Sequence, residues 1–349
     1  MFEYIKLNNF RNYQEDVFVF KKGINIIIGP NGSGKTNLLE AIYCISRFSS
    51  FRTKLDNLIR NKTNKFILSA EYNNQQKTLI YNKESKTKQY YRNQKKVSIS
   101  KQDQIPIVLF EPNFFNLNLV SNEQKRSFID DLIIQIKPSY SKTISQYKKT
   151  LLQRNKLLKK GQTKDLFPWN IKICQLSQEI INNRLDIITE INQKISKRYN
   201  KFSNNFDKIN LKYKSLINLE NYSSNLLKQL ENNFLQEKII GHTLFGPHKD
   251  EIVFLFNNNN VKSFLSQGEN RSIVLSLKLT EKEILEDKTN KLAIFLFDDL
   301  FSELDGNRRT TILKQIDINQ TFITTTDVDL VINNLQSKFN ILPINKKKL

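Results

Sequence analysis

The chain has 349 residues, room for one large or two modest domains, and carries 55 basic against 34 acidic side chains for a formal charge of +21. Such an excess points to a polyanionic partner, nucleic acid or an anionic membrane surface, although only three Ala (Ala41, Ala70, Ala293) beside abundant Lys, Asn and Ile show that AT-biased coding supplies part of the lysine. Two distant cysteines, Cys44 and Cys174, argue against a disulfide framework or zinc site, and a charged start with no apolar run of roughly 18 residues predicts a soluble, cytoplasmic protein without a membrane partner.

In chain order, "EYIKLNNF", "DVFVF" and "INIII" read as strands, the last apolar on both faces and ending in a glycine loop. "NLLEAIYCIS", Asn37 to Ser46, follows as a helix, and "KFILSAEYN", "KTLIYNK", "QYYRNQKKVSI" and "IPIVLFEP" read as strands between polar turns. Past Pro138 the spacing becomes helical. Tyr140, Ile144, Tyr147, Leu151 and Leu158 predict a helix over about 139–160, roughly 30 Å long at 1.5 Å per residue. After the break "KKGQTKDLFP", Trp169, Ile173, Leu176, Ile180, Ile187, Ile191 and Ile195 form a second stripe, and the pair predicts a short two-helix arm. From Gly241 strands and helices alternate again. The expected architecture is α/β: residues near 1–50 and 240–349 share one sheet, 1–136 and 241–349 form one domain, and 137–240 form an inserted helical arm domain.

"GPNGSGKT" comprises Gly29, Pro30, Asn31, Gly32, Ser33, Gly34, Lys35 and Thr36, a GxxxxGK[ST] match between a predicted strand and helix. In that context loop amides cradle phosphates, Lys35 reaches the β/γ-phosphates and Thr36 holds Mg²⁺. "LAIFLFDD" is an apolar strand ending in two acids. Asp298 is placed to hold the metal and Asp299 to act as the catalytic base that polarises water. Six of the nine glycines (Gly29, Gly32, Gly34, Gly246, Gly268, Gly306) fall in such polar turns, where a missing Cβ is useful. "LSQGE", Leu265 to Glu269, opens another helix. Two readings stand beside each other: Ser266 as a plain N-cap, or Ser266 and Gly268 as an anion site closing on the nucleotide of a second subunit.

The series "GPNGSGKTN", "LSQGE", "IFLFDD", "SELD" and "TTTD" resembles the ABC-type ATPases of chromosome maintenance, and among them the RecF family of bacterial recombination mediators. "LNNFRNY", "LFEPNFFNLNLV", "KRSFIDD", "YKKTLLQRNKLLK" and "TLFGPHKDEI" extend the likeness over nearly the whole chain. The resemblance implies an ABC-ATPase-type domain with ATP and Mg²⁺ as ligands and an ATP-dependent homodimer in which Ser266, Gln267 and Gly268 contact the γ-phosphate in trans. It implies Arg11 and Asn12 near the phosphates, Asp305 at the dimer interface, and Thr326 where many ABC ATPases carry a switch histidine. It further implies binding to single-stranded, gapped or junction DNA, RecR/RecO-type partners, recombinase loading at gaps, SOS induction, and a weak DNA-dependent ATPase. Asp299 stands where transporter relatives usually have glutamate, and the shorter base suits slow hydrolysis.

The chain departs from the family pattern at Asn113, Phe114, Lys249 and Glu251. His248 and Asp250 keep the pattern with no assigned role, and a hydrogen-bonded structural histidine is the favoured reading of His248. The rival functions are a transporter's nucleotide-binding subunit and a long-coiled-coil DNA tether. Roughly 260 residues separate Lys35 from Asp298, more than a compact transporter ATPase needs, and the arm is far too short for a tether.

Overall fold

The computed structural model describes residues 1–100, 103–111, 120–161, 165–203, 207–261, 265–316, 319–327 and 339–345. Asn113, Phe114, Ser263 and the last four residues of the basic tail lie outside them. The contacts divide the chain into two compact units, Met1–Phe115 with Val274–Leu349, and Asn116–Ile273.

The first unit opens with β1 (Phe2–Phe10), β2 (Tyr13–Val19), β3 (Ile24–Ile28), α1 (Lys35–Arg47), β4 (Lys65–Tyr72), β5 (Gln75–Asn82), β6 (Thr87–Arg92), β7 (Lys95–Val97) and β8 (Ile107–Phe110). Six of these strands form an antiparallel sheet in the order β2-β1-β4-β5-β6-β7. Two of its hairpins close on two-residue turns, Asn73-Asn74 and Asn93-Gln94, all four residues at positive φ. That conformation matches the right-handed strand twist, and asparagine adopts it at low cost. The alternating strands bury Phe2, Ile5, Leu7, Phe66, Leu68 and Leu79 on one face.

The second unit begins with α2 (Asn122–Ile136), whose start is set by a reciprocal capping box: Gln124 N donates to Ser121 Oγ at 3.2 Å and Ser121 N to Gln124 Oε1 at 2.8 Å. The predicted first arm helix is α3 (Tyr140–Lys160), and the second stripe is α4 (Phe167–Tyr199). Then come β9 (Ile209–Lys214), α5 (Tyr222–Asn232), α6 (Phe234–Ile240), β10 (Glu251–Phe256) and β11 (Asn259–Asn260), the three strands forming their own antiparallel sheet. The unit extends beyond 137–240 because α4 packs against α2 and β9 as well as α3, and β9 pairs with β10. Helix α4 acts as the spine. Its Arg184 forks onto Asp130 of α2 (2.9 and 2.8 Å) and donates to Pro247 O at 2.8 Å.

A second buried cation ties α3 to α6: Arg154 and Glu237, both 0% exposed, pair at 2.7 Å, while Asn170 and Thr243 accept from the same guanidinium. Removing one partner would strand the other charge in the interior, at a cost of about 3–5 kcal/mol. Glu237→Ala is therefore expected to lower the denaturant midpoint of the chain sharply, whereas Lys6→Ala, which breaks an exposed pair with Glu15, should leave it nearly unchanged. Equal shifts in a urea titration would contradict the buried pair.

The chain returns to the first unit through α7 (Gln267–Thr289), β12 (Ile294–Phe297), α8 (Gly306–Ile316), β13 (Thr321–Thr325) and β14 (Phe339–Pro343). A five-stranded, all-parallel sheet results, ordered β14-β3-β13-β12-β8. Its membership differs from the expected single sheet: β8 joins it, while β1, β2, β10 and β11 do not. The runs "INIII", "IFLF" and "TFITT" suit a sheet covered on both faces, whereas the alternation of β1 and β2 suits a sheet with one wet face. Helix α1 packs on β13 of the parallel sheet and on β1, β4 and β5 of the antiparallel one, so it is buried around nearly its whole girth. Among the described residues no helix is long and apolar enough to cross a membrane.

Candidate functional site

The loop Gly29 to Gly34 leaves the carboxyl end of β3 and opens directly onto α1, at the edge where ligands of parallel α/β sheets bind. Gly34 has φ 113°, and a Cβ there would lie 2.6 Å from Asn12 Nδ2 and 2.9 Å from the Tyr13 hydroxyl. Only glycine fits. The crowding has a purpose, because the turn after β1 grips the loop from outside: Asn12 Nδ2 donates to Ser33 O at 3.1 Å and Tyr13 Oη to Gly34 O at 3.0 Å. Asn37 in turn donates to Asn12 Oδ1 at 2.8 Å. Burial raises the Tyr13 pKa, which keeps the hydroxyl a donor.

Arg11 takes a different part. Its guanidinium forks onto Glu40 at 2.8 and 3.0 Å, and the same fully buried carboxylate accepts from Ser50 Oγ at 2.6 Å with Arg52 4.0 Å away. Arg11 thus braces α1, and Asn12 is the neighbour that touches the loop. Glu40 had a legible signal, an acid inside the apolar run "NLLEAIY", which requires a buried partner.

Lys35 is only 4% exposed, and its ammonium donates to two neutral carbonyls of the loop, Gly29 O at 2.9 Å and Pro30 O at 3.4 Å. The Ser33 hydroxyl is buried without a hydrogen-bond partner, while Pro30, Asn31 and Gly32 are exposed and nothing lies within 4 Å of a Cβ built on Gly32. A buried cation, an unsatisfied hydroxyl and an open cradle of backbone amides fit a phosphate chain.

The acids arrive from the neighbouring strand. Parallel register aligns Phe110, Phe297 and Ile323, so the next residues, Glu111, Asp298 and Thr324, stand side by side at the strand ends. Thr36 Oγ1 donates to Asp298 Oδ1 at 2.8 Å, closing a contact across 262 residues of chain. A loop hydroxyl beside a carboxylate is the donor set a phosphate-bound Mg²⁺ needs, since that ion takes one or two protein oxygens and fills its shell with water and phosphate. Asp299 turns away from the strand with φ 48°. Burial raises its pKa against the pull of Lys35, and Asp298 adds to the rise. Burial likewise raises Glu111, opposed by Lys278 and reinforced by Asp298. The motifs "LFEPNFFNLNLV" and "TTTD" contain Glu111 and Thr324 but give neither a role, because only the register brings them to Asp298.

Ser266 is the N-cap of α7 in a capping box: its Oγ accepts from Glu269 N at 3.2 Å, and Glu269 Oε2 accepts from Ser266 N and Oγ at 2.8 Å each. Ser266 and Gln267 are exposed and Gly268 is half-buried. Asp305 is exposed and caps α8, accepting from Arg308 N at 2.9 Å and pairing with the Arg308 guanidinium. Thr326 is exposed just past β13.

His248 has a structural setting. Nε2 faces the Thr243 carbonyl at 3.2 Å and must donate, so Nδ1 accepts from Tyr147 Oη at 2.6 Å. Burial pushes its pKa down to about 4, which keeps the ring neutral. Asp250 accepts from Tyr213 at 2.6 Å and Ser215 at 2.7 Å, anchoring the same turn.

Comparison with known proteins finds relatives over nearly the whole chain. Residues 1–347 match the family model described as the RecF/RecN/SMC N terminal domain. The DNA replication and repair protein RecF of Ligilactobacillus salivarius is 33% identical over 366 residues, covering 99% of this chain and 96% of that protein. Its namesake from Enterococcus faecalis is 31% identical, covering 99% and 97%. Among solved structures, the recombination mediator protein RecF-ATPrS in the RecFOR pathway superposes with a TM-score of 0.87 at 28% identity, covering 99% of this chain and 98% of that one. An Smc head bound to a winged-helix domain of ScpA shares the fold alone, with a TM-score of 0.56 at 15% identity.

Proposed function

The chain belongs to the RecF/RecN/SMC N terminal domain family, in its RecF branch, and from that premise we propose an ATP-dependent DNA-binding protein of recombinational repair and replication restart. The observation that carries the reading is the Thr36–Asp298 contact, which unites the phosphate loop with the acidic strand end. ATP sits on the amides of Gly29 to Gly34, with Lys35 against the β/γ-phosphates. Thr36 and Asp298 hold Mg²⁺, which when bound neutralises charge on the transferred phosphoryl group. Asp299 orients the attacking water and takes its proton.

Ser266, Gln267 and Gly268 complete the site of a second copy, so that ATP closes a homodimer on DNA. Asp305 lies at that interface, Asn12 and, through its brace on α1, Arg11 stand near the phosphates, and Thr326 takes the switch position. Slow hydrolysis then opens the dimer. In this reading the bound state marks gapped or junction DNA for RecR/RecO-type partners and recombinase loading, with SOS induction downstream, and residues 137–240 supply the helical arm within the larger second unit, Asn116–Ile273. The basic surplus supplies phosphate contacts with little sequence preference.

The test is DNA binding to gapped, single-stranded and duplex oligonucleotides, with and without ATP, across a salt series. The expected result is ATP-dependent binding whose log affinity falls linearly with log salt, by roughly 0.9 per duplex phosphate neutralised. Affinity indifferent to ATP on all three DNAs would leave only general basic stickiness and overturn the switch.

A further inference from the structure

The position beside Asp298 is filled by a threonine that belongs to neither the phosphate loop nor the acid pair. Thr324 is fully buried near the end of β13. Its Oγ1 accepts the Asp299 N–H at 2.8 Å. The single hydroxyl proton is directed to Asp298 Oδ1 at 3.0 Å, with Phe297 O at 3.3 Å as its alternative acceptor. One side chain therefore touches the backbone of one acid and the carboxylate of the next.

Each contact corrects a specific problem. Asp299 leaves the strand in the left-handed region, φ 48°, ψ 26°, which costs a residue with a Cβ and releases its amide from the β ladder. The Thr324 oxygen satisfies that amide. Asp298, at the strand end, receives donors from two sides, Thr36 of the loop and Thr324 of the sheet, so its carboxylate plane is held before any ligand arrives. We infer that Thr324 is a positioning residue for hydrolysis: its hydroxyl fixes the turn that aims Asp299 and the orientation of Asp298, without itself reacting. The role presupposes the ATP site proposed above.

Thr324→Val keeps the shape and the β preference but deletes both hydrogen bonds, and Thr324→Ser keeps the hydroxyl. For Val, kcat is expected to fall at least about tenfold with the KM for ATP within about twofold, because misplaced catalytic groups cost rate before they cost binding. The free Mg²⁺ needed for half-maximal nucleotide binding should rise at least about threefold, and Ser should recover most of both losses. Without nucleotide, deuterium should enter the peptide holding the Asp299 amide faster in the Val variant than in wild type.

Unchanged turnover and Mg²⁺ dependence in Val would overturn the inference, as would a Ser variant no better than Val. If wild type itself neither binds nor hydrolyses ATP, the nucleotide reading fails instead. The exchange rate at Asp299 then still decides whether the hydroxyl holds the turn.

Discussion

Asp299→Asn is expected to cut steady-state ATP hydrolysis by about a hundredfold or more, the usual loss when a positioned general base is removed, while ATP binding persists and a dimer accumulates. The substitution is well matched to the site. Asparagine is among the residues that best tolerate the left-handed region, so φ 48° and the amide bond to Thr324 Oγ1 at 2.8 Å survive. Thr36 and Asp298 remain in place to hold the metal. What changes is the carboxylate proposed to accept the proton from water. Sedimentation at saturating ATP should show wild type cycling between monomer and dimer and the Asn variant held as dimer; a purely monomeric Asn variant would contradict an assembly built on two shared nucleotides.

Ser266→Arg should abolish ATP-dependent dimerisation and leave nucleotide binding to the single subunit nearly unchanged. Ser266 is exposed, so the longer side chain has room in the monomer. Losing the capping box costs roughly 1 kcal/mol, small beside the roughly 5–15 kcal/mol that folds a domain. A bulky cation where a γ-phosphate and a second loop must meet would block closure. Titration of fluorescent ATP, followed by sizing, separates the outcomes. Collapse of ATP affinity in the monomer would mean that the loop serves its own subunit's nucleotide and not its neighbour's.

Much of the molecule was legible where the signal is local. The glycine loop, the helix after it and the two arm helices follow from spacing and composition; α3 starts within a residue of its predicted position because Pro138 and a regular apolar stripe define it. Glu40 could have been anticipated, since an acid in an apolar helix needs a partner. Its partner could not, because Arg11 lies 29 residues away on another element. The grouping of strands was misjudged for a related reason. Strands β1 and β3 are both apolar enough for a core, and only the wet face of β1 separates the antiparallel sheet from the parallel one.

The sequence by itself determined the chemistry on offer: a loop of backbone amides with a lysine and a threonine, a strand ending in two acids, and a capped helix start carrying "SQGE". Those patterns rest on backbone sterics and nearest-neighbour spacing, which a linear text records. Tertiary structure decided their company. Hydrogen-bonded register between β8, β12 and β13 set Glu111, Asp298 and Thr324 in one row, and packing of β3 beside β13 brought Thr36 to Asp298. Register is a non-local choice, made by the burial of whole strands, and no spacing along the chain encodes which side chain will stand next to an acid 262 residues away.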